Sequence, residues 1–348
     1  MRESRHRILR GDAACLSFLP DASVALVVTS PPYPMIAMWD AFFRSRDPEI
    51  AAALDSCDGS LAFRLMHEDL DRAWREIHRL LIPGGWACIN IGDATRTLGN
   101  RFRLFPNHAR VLSACAALGF DVLPAVLWRK QTNAPNKFMG SGMLPAGAYV
   151  TLEHEHILLL RKGPRREFAG AEQKQARRQS AIFWEERNRW FSDVWDFKGA
   201  RQDLEAKDAR NRSAAFPLEL PFRLINMYSV RGDTVLDPFS GTGTTLLAAM
   251  ASGRDSVAVD IDEALLDATR KEAGSAVAHL NGFLEERMQS HLGFVRRYLE
   301  ESGELPHRNR PHGFPVMTAQ EEELTLEYID AVRVCPDGSV SVTYRPSA

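Results

Sequence analysis

The sequence predicts an α/β fold built on a mostly parallel sheet, and three observations lead to this prediction. Short apolar runs alternate with segments of helical spacing over residues 6–128, and the alternation resumes near residue 215. One apolar run leads into a glycine-rich turn that a helical segment follows. Hydrophobic residues make up 45% and charged residues 25% of the 348 residues. This is the composition of a globular protein, long enough for one large domain with an inserted or appended module.

The first part of the chain supplies most of the predicted elements. Strands are expected at residues 6–10, 24–28, 86–91, 120–128 and 151–160, and helices at 70–81 and from the N-cap Asn107 to 118. The turn Pro83-Gly84-Gly85 is expected to terminate the first of these helices. Residues 44–64 interrupt the pattern as a loop or a small helical insertion. The strand at 24–28 leads into Thr29-Ser30-Pro31-Pro32-Tyr33.

The glycine-rich turn lies between a strand at 234–236 and a helix that begins near residue 246. Its sequence is Asp237-Pro238-Phe239-Ser240-Gly241-Thr242-Gly243-Thr244-Thr245. Glycines let a backbone approach a ligand closely and adopt positive φ, and the helix start offers free N–H groups. The turn matches neither a triphosphate loop, which needs a Lys-Ser/Thr pair after the second glycine, nor G-x-G-x-x-G. The acid ahead of the glycines suits a ligand with cationic and hydroxyl groups. The next strand, at 257–262, precedes a helical pattern that runs to about residue 292.

This nonapeptide resembles the motif with which the DNA amino-methyltransferases bind S-adenosyl-L-methionine (AdoMet), and Ser30 to Tyr33 resembles their catalytic motif. Because the catalytic motif comes first, the chain resembles the β group of that family, whose motif order is circularly permuted. The resemblance implies a Rossmann-like AdoMet-dependent methyltransferase sheet with right-handed crossovers and one reversed edge strand. It also implies four segments, which are a catalytic half at 1–130, a strand with an inserted target-recognition region at 131–212, an AdoMet-binding half at 213–295 and a C-terminal extension at 296–348.

The resemblance assigns roles to individual residues. The expected catalytic residues are Ser30, Pro31, Pro32 and Tyr33. The expected AdoMet contacts are Asp12, Phe216, Asp237, Pro238, Phe239, Gly241, Gly243, Thr244, Thr245 and Asp260. Asp260 is expected to accept hydrogen bonds from ribose hydroxyls, Asp12 to meet the adenine edge, and Phe216 to border the methionine end. For Asp12 the alternative is a surface acid at a strand end. Relatives often carry His-Pro-Ala where this chain has Arg212-Ser213-Ala214, so a role for that His has no counterpart here.

The expected reaction is methylation of an exocyclic base amine in double-stranded DNA. The lone pair of such an amine is delocalised into the ring, so acceptors such as Ser30 Oγ and the Pro31 carbonyl must turn it toward the methyl group. Tyr33 offers a face for stacking a base that has left the duplex, and neither a Cys nucleophile nor a metal is required. A Ser at the first motif position favours cytosine N4. Adenine N6, a catalytically silent AdoMet- and DNA-binding relative, and an enzyme for RNA or protein glutamine stay as alternatives.

Residues 161–212 form the candidate target-recognition region. They hold fourteen Lys and Arg against nine Asp and Glu, with aromatic residues interleaved at 168, 183, 184, 190, 191, 195 and 197. The alternative is a solvated helical face with an apolar underside. Arg129 and Lys130 follow a strand end, with Asn133 and Asn136 beyond them, and are candidates for lining a DNA cleft. For these four residues the alternative is ordinary loop polarity.

The remaining features concern location, partners and the tail. No run of about eighteen apolar residues and no secretory signal is found, so a place in the bacterial cytoplasm or nucleoid is expected. The five cysteines show no C-x-x-C pairing and predict buried free thiols. His154 and His156 share a strand face without an evident third metal ligand. Residues 305–315 are expected to form a linker, and 324–334 with 340–344 a β-hairpin. A homodimer and a cognate restriction endonuclease stay open as partners.

Overall fold

The structure, a computed structural model, describes residues 2–130, 139–140, 144–199 and 216–346. Its strands are β1 (Arg2–Arg10), β2 (Val24–Thr29), β3 (Leu81–Ile91), β4 (Ala94–Leu98), β5 (Arg101–Phe105), β6 (Phe120–Arg129), β7 (Met139–Gly140), β8 (Ala148–Tyr149), β9 (His154–Lys162), β10 (Val194–Asp196), β11 (Thr234–Asp237), β12 (Asp255–Asp260), β13 (His307–Arg308), β14 (Pro315–Val316), β15 (Glu327–Val334) and β16 (Val340–Pro346). Its helices are α1 (Asp40–Arg46), α2 (Pro48–Asp55), α3 (Gly59–Leu80), α4 (Asn107–Ala117), α5 (Ala171–Gln179), α6 (Trp184–Trp190), α7 (Glu219–Tyr228), α8 (Thr244–Ser252), α9 (Glu263–Ser275) and α10 (Val277–Ser302).

Ten of the strands form one sheet in the order β10-β6-β9-β3-β2-β11-β12-β1-β16-β15. Pairing is parallel from β3 through β2, β11 and β12 to β1, and again between β6 and β10. The predicted α/β fold is therefore confirmed. The predicted reversed edge strand was wrong in its position. β9 runs antiparallel to both neighbours but lies between β3 and β6, because β6 and β10 extend the sheet beyond it.

The central strands are apolar because both faces of the sheet are covered. All six residues of β2 are buried. Leu26 and Val28 pack into one hydrophobic cluster together with α7 and α8, whereas Val27 packs into a second cluster together with α3. Strands from all four predicted segments belong to this sheet, while the division of the segments by function stays a prediction.

Two helices differ in length from their predictions. The helix predicted at 70–81 is the second half of α3, which begins at Gly59 because the Asp58 carboxylate accepts from Ser60 N and Leu61 N. It ends before Leu81, which is already extended, so Pro83-Gly84-Gly85 lies inside β3. Residues 44–64 are thus a helical insertion made of α1, α2 and the start of α3. The pattern predicted from 263 to 292 is two helices, α9 and α10.

Asn107 is buried and does not cap α4, contrary to the prediction. Its Nδ2 donates to the carbonyl oxygens of Pro34 (3.1 Å) and Gly92 (2.9 Å). The carboxylate of Asp93 serves the helix start instead and accepts from His108 N (3.1 Å). Asn107 therefore ties the loop after β2 to the loop after β3.

The predicted C-terminal hairpin is present as β15 and β16. β16 pairs antiparallel with β1, so that Arg2 lies opposite Tyr344 and the hairpin extends the sheet. Residues 305–315 are not a linker, because β13 pairs with β14 and the buried Asn309 donates to the carbonyls of Glu321 and Leu324 (both 2.8 Å).

All five cysteines are free thiols, but their burial differs from the prediction. Cys88 and Cys115 are buried, whereas Cys15 and Cys57 are exposed because they lie in turns outside the strands and helices. Among the described residues, none of the helices combines the length and the apolar character that a membrane crossing requires.

Candidate active site

The two motifs meet at the carboxyl ends of neighbouring strands. β2 and β11 pair in parallel, with Leu26 opposite Val235 and Val27 opposite Leu236. The Ser-Pro-Pro-Tyr turn follows β2 and the glycine-rich turn follows β11. Both turns therefore lie at the edge where open α/β sheets bind their ligands.

Asp237 joins the two turns. Its carboxylate accepts hydrogen bonds from the hydroxyls of Thr29 (2.6 Å) and Thr245 (2.7 Å) and from Phe239 N (3.1 Å). Burial raises the pKa of Asp237 to about 6, although these hydrogen bonds favour its charged form. The carboxylate fixes the glycine-rich turn onto β2. Three of the roughly four acceptor sites of this carboxylate are thus used within the protein, and because Asp237 also lines the cavity beside the turn, its contact with cationic or hydroxyl groups of a ligand stays a prediction.

The two glycines of the turn have positive φ, +51° at Gly241 and +83° at Gly243. A Cβ at Gly243 would lie 2.4 Å from Cγ2 of Thr269, so this glycine lets the turn pack against α9. At Gly241 no atom of the described structure lies within 4 Å of the corresponding position. Gly241 N donates to Oδ2 of Asp260 (2.9 Å), which holds the turn beside the end of β12.

A cavity of about 420 Å³ lies over these strand ends. The predicted site residues that line it are Asp12, Ser30, Pro31, Pro32, Phe216, Asp237, Pro238, Phe239, Gly241, Thr244 and Asp260. Tyr33, Gly243 and Thr245 are not on its walls. Sequence reasoning missed Trp39 and Phe42, whose signal was the aromatic run at residues 39–43 directly after the catalytic motif.

The walls of the cavity fit AdoMet, which combines an adenine ring, ribose hydroxyls and a charged methionine end. Trp39 and Phe239 provide apolar faces, and Asp12 and Asp260 provide carboxylates. Ser240 and Trp39 also line the cavity, and their Oγ and Nε1 atoms are buried without a hydrogen-bond partner among the described residues. Buried polar atoms are normally paired, so these two atoms favour a polar ligand in the cavity.

Two of the acids that line the cavity, Asp12 and Asp260, are anchored by backbone N–H groups. Asp12 accepts from Ala14 N (2.9 Å) and pairs with Arg46 (2.6 Å). Burial opposes the charge of Asp12, but the bonds to Arg46 and Ala14 outweigh it and hold its pKa below the ordinary value. Burial raises the pKa of Asp260, although its carboxylate accepts from Asp262 N (3.0 Å) as well as from the glycine-rich turn.

Tyr33 is turned away from the cavity. It is 3% exposed, and a Cβ at Gly92 would lie 3.0 Å from its Cε2 atom, so the ring packs against that glycine. Its hydroxyl donates to Oε2 of Glu155 (2.9 Å), accepts from Nδ2 of Asn90 (2.9 Å) and lies 3.0 Å from Oγ of Ser30. The stacking face that the sequence suggested is therefore covered, because these bonds hold the ring inward.

Asn90 and Glu155 are site residues that sequence reasoning missed. Asn90 Nδ2 donates to Oε2 of Glu155 (2.6 Å), and Oε1 of Glu155 pairs with Nζ of Lys130. Lys130 was a candidate for lining a DNA cleft, and the structure places it on Glu155 and over the ring of Trp128, 4.7 Å from the centroid. Neither residue belongs to a contiguous sequence motif, and both reach Tyr33 only because β3 pairs with β9.

Comparison with known proteins identifies the family. A family model described as DNA methylase matches residues 24–271. The chain belongs to this family. Among similar proteins, the type II methyltransferase M.MthZI of Methanothermobacter thermautotrophicus is 47% identical over 328 residues, which cover 94% of this chain and 91% of that protein. The type II methyltransferase M.MjaI of Methanocaldococcus jannaschii is 46% identical over 282 residues, which cover 78% of this chain and 92% of that protein.

Solved structures agree with the methylase fold. TTHA0409 of Thermus thermophilus, solved in complex with AdoMet, is 34% identical, with a TM-score of 0.59 over 77% of this chain and 92% of that one. The PvuII DNA methyltransferase, which is cytosine-N4-specific, is 17% identical, with a TM-score of 0.55 over 77% of this chain and 86% of that one. The predicted resemblance to the permuted amino-methyltransferases is thereby confirmed.

Three possible metal ligands of the methylase lie together beside this site. Nδ1 of His108 is 2.8 Å from each carboxylate oxygen of Asp93, and the ring of His156 stacks on that of His108 at 3.8 Å and 14°. This group includes His156 but not His154, and it forms because folding brings α4 against β9. Imidazole lone pairs lie in the ring plane, so two stacked rings do not direct both nitrogens at one ion. That the methylase requires no metal stays a prediction.

Three of the seven aromatic residues of the candidate recognition region are buried in the core of the methylase, whereas Trp184 and Phe191 are 38% and 49% exposed. Phe183, Trp190 and Trp195 are 0%, 2% and 1% exposed, and the guanidinium of Arg287 lies over the first two rings. These residues form the apolar underside that the alternative interpretation required. Residues 200–212, together with Asn133 and Asn136, lie outside the described residues, and target recognition by 161–212 stays a prediction.

Proposed function

We propose that this methylase transfers a methyl group from AdoMet to the N4 amine of a cytosine that has left the stack of double-stranded DNA. The observation that carries the proposal is that Ser30 and Pro31 line the same cavity as the glycine-rich turn. Methyl transfer in line requires the donor and the acceptor to be held side by side, and two adjacent strand ends provide that arrangement.

The AdoMet side of the cavity would be built by β1, β11 and β12. AdoMet supplies a methyl group on a positively charged sulfur. Asp260 would hold the ribose hydroxyls, Asp12 the adenine edge, and Phe216 the methionine end. Support comes from the AdoMet complex of TTHA0409 and from Ser240, a residue of the cavity wall whose buried Oγ has no partner among the described residues.

The base side would be built by the Ser-Pro-Pro turn. Ser30 Oγ and the Pro31 carbonyl would accept the two amine hydrogens and turn the nitrogen lone pair toward the methyl group. The prolines keep the turn rigid and remove competing N–H donors. A neutral hydroxyl is a weaker acceptor than a carboxylate, which suits cytosine because its ring N3 shares the polarising task. We therefore favour cytosine N4 over adenine N6.

The biological setting is proposed from the relatives. Two relatives named type II methyltransferases support a role in a type II restriction–modification system, with a cognate endonuclease as partner. A homodimer and a cytoplasmic location complete the proposal.

Nucleoside analysis tests the proposed reaction. Purified protein is incubated with AdoMet and unmethylated DNA, and the hydrolysed DNA is examined by mass spectrometry. We expect N4-methylcytosine. Ser30→Ala removes one acceptor at the amine, so its methylation rate should fall at least about 100-fold, which corresponds to roughly 3 kcal/mol of barrier, while AdoMet affinity stays within about twofold.

Ser113→Ala is the matched control, since Ser113 is exposed on α4 and the chemical change is the same. N6-methyladenine without N4-methylcytosine would contradict the assignment of the base. DNA without any methylated base would contradict the proposed reaction.

A further inference from the structure

We propose that Tyr33 and Glu155 form a proton relay that begins at Ser30 Oγ, so that Tyr33 contributes through its hydroxyl and Glu155 is the terminal proton acceptor. The inference deepens the proposed function and rests on it. It assigns catalytic work to a carboxylate on β9, more than a hundred residues from the Ser-Pro-Pro-Tyr turn in sequence.

The direction of the hydrogen bonds follows from counting protons. An ionised carboxylate only accepts, so the single hydroxyl proton of Tyr33 goes to Oε2 of Glu155 (2.9 Å). The Tyr33 oxygen then accepts from Nδ2 of Asn90 (2.9 Å) and from the hydroxyl of Ser30 (3.0 Å). Because the Ser30 hydroxyl donates its proton to the Tyr33 oxygen, the lone pairs of Ser30 Oγ can accept a hydrogen bond from a base amine in the cavity.

The orientation of Asn90 supports this direction. Its Nδ2 has two hydrogens and makes two bonds, one to Tyr33 and one to Glu155 (2.6 Å). Its Oδ1 is buried without a partner among the described residues. With the side-chain amide reversed, Oδ1 of Asn90 would face a carboxylate oxygen of Glu155, and neither atom carries a proton. The observed orientation therefore favours proton transfer from Tyr33 to Glu155.

Charge and burial suit the two relay groups. Burial and the neighbouring charge of Glu155 raise the pKa of Tyr33 well above its ordinary value, so the hydroxyl keeps its proton and can pass one on. The side chain of Glu155 is 14% exposed, and its ion-pair partner Lys130 is 36% exposed. Glu155 therefore lies between the buried hydroxyls and the solvent.

The relay balances the proposed reaction. The amine lone pair forms the new N–C bond while the C–S bond breaks, and sulfur keeps the bonding pair as a thioether. The nitrogen, now cationic, loses one proton to Ser30 Oγ as the Ser30 proton moves to Tyr33 and the Tyr33 proton moves to Glu155. Glu155 becomes neutral and releases that proton to water, while Lys130 stays protonated.

Two nearly isosteric variants test the relay. Tyr33→Phe keeps the ring and removes the hydroxyl, and Glu155→Gln keeps the shape and removes the charge. With saturating AdoMet and DNA, we expect the single-turnover methylation rate of each to fall at least about 100-fold, since general base catalysis contributes about 100- to 10,000-fold. The affinities for AdoMet and for DNA should stay within about twofold.

The double variant Tyr33→Phe/Glu155→Gln separates a relay from independent structural roles. If both residues act in one chain, the double variant is no slower than the slower single variant. Glu153→Gln, an exposed carboxylate just before β9, is the control for the chemical change and should keep the parent rate.

Several outcomes would overturn the relay. One is a methylation rate in either single variant that equals the rate of the parent protein. Another is a rate loss in the double variant that equals the product of the two single losses. A third is a slower rate that is explained by lost AdoMet or DNA binding or by a lower melting temperature. If Glu155→Gln does not fold, Tyr33→Phe alone decides. A parent protein that methylates no DNA base would contradict the proposed function, which is a different result from an active parent with unaffected variants.

Discussion

Gly241 and Gly243 stand two residues apart and have different physical tasks. Both have positive φ, but only Gly243 lies where a Cβ would overlap Thr269 on α9. Gly241 lines the cavity, and a Cβ added there would have no described atom within 4 Å. The first task concerns the packing of the fold, and the second concerns the approach of a ligand.

The two alanine variants should therefore separate stability from binding. Gly243→Ala should lower the free energy of unfolding by about 2–4 kcal/mol, because a backbone penalty adds to a steric overlap with a helix. Gly241→Ala should cost about 1 kcal/mol from φ alone but reduce AdoMet affinity. Urea unfolding and isothermal titration measure the two quantities. Equal stability losses in both variants would contradict this division.

Individual site residues differ in whether the sequence could predict them. Ser30, Pro31 and the glycine-rich turn were predicted because each is part of a contiguous motif at a strand end. Asn90 and Glu155 belong to no motif and reach Tyr33 only through the pairing of β3 with β9, in which Asn90 lies opposite Ile157. Partners that meet only through tertiary pairing leave no local pattern to find.

At the scale of elements, the C-terminal hairpin is joined to the sheet by a buried polar chain as well as by strand pairing. The hydroxyl of Tyr344 bonds Oγ of Ser4 (2.7 Å) and donates to the Met250 carbonyl (2.8 Å). Oγ of Ser4 also bonds Nε2 of His6 (2.8 Å). The hairpin is thus tied to β1 and, through Met250, to α8.

Tyr344→Phe should lower the free energy of unfolding by about 1–3 kcal/mol, because it leaves the Met250 carbonyl and Ser4 short of a buried partner. Tyr328→Phe is the matched control on the same hairpin, since its hydroxyl bonds Glu285 at the surface and such a bond contributes little. Thermal and urea unfolding compare the two variants. A loss for Tyr328→Phe as large as that for Tyr344→Phe would show that burial of the bond is not the cause.

Elements were predicted well where periodicity was continuous and less well at their ends. β2, β11 and β12 were found close to their predicted bounds, because strands buried on both faces are short apolar runs. The first half of α3 and the division between α9 and α10 were missed. The start of α3 depends on the capping by Asp58, and the division at Ala276 is marked in the sequence only by the nearby Gly274.

At the scale of the whole molecule, two buried histidines link stability to pH. His6 is bonded by Ser4 and Ser256, and His67 by Asn107. Burial lowers the pKa of each to about 3. The unfolded chain takes up a proton at each histidine near pH 6.5 and the folded protein does not, so stability is complete above that pH and is lost as the pH falls toward 3.

We expect the free energy of unfolding to fall by roughly 1 kcal/mol per pH unit for each histidine below about pH 6.5. Burial raises the pKa of Asp237 to about 6, so the folded protein takes up a proton there before the unfolded chain does, and this carboxylate adds stability as the pH falls. The comparison is therefore between His6→Gln and the parent, in urea unfolding at pH 7.5 and 5.5. The variant should be less stable at pH 7.5 but lose less on acidification. His279→Gln, on the exposed face of α10, should follow the parent. Identical pH dependence in His6→Gln and the parent would contradict the assignment.

The overall architecture was predictable, because two motifs at strand ends and their order specify a permuted sheet. The interpretation of residues 161–212 was less secure, because Arg next to aromatic residues describes a DNA-binding surface and a cation–π core equally well. Arg287, from α10, completes that core around Phe183 and Trp190, and no local sequence feature connects it to them.

The pairing of β16 with β1 has a topological consequence. It brings the two ends of the described chain close together, because Arg2 and Tyr344 lie opposite each other on adjacent strands with their Cα atoms about 5 Å apart. A few linking residues would close the chain into a ring. Opening that ring between β10 and α7 would place the glycine-rich turn ahead of the Ser-Pro-Pro-Tyr turn without changing a contact in the cavity. Motif order is thus a property of where the backbone is interrupted, while the active site depends only on the ring.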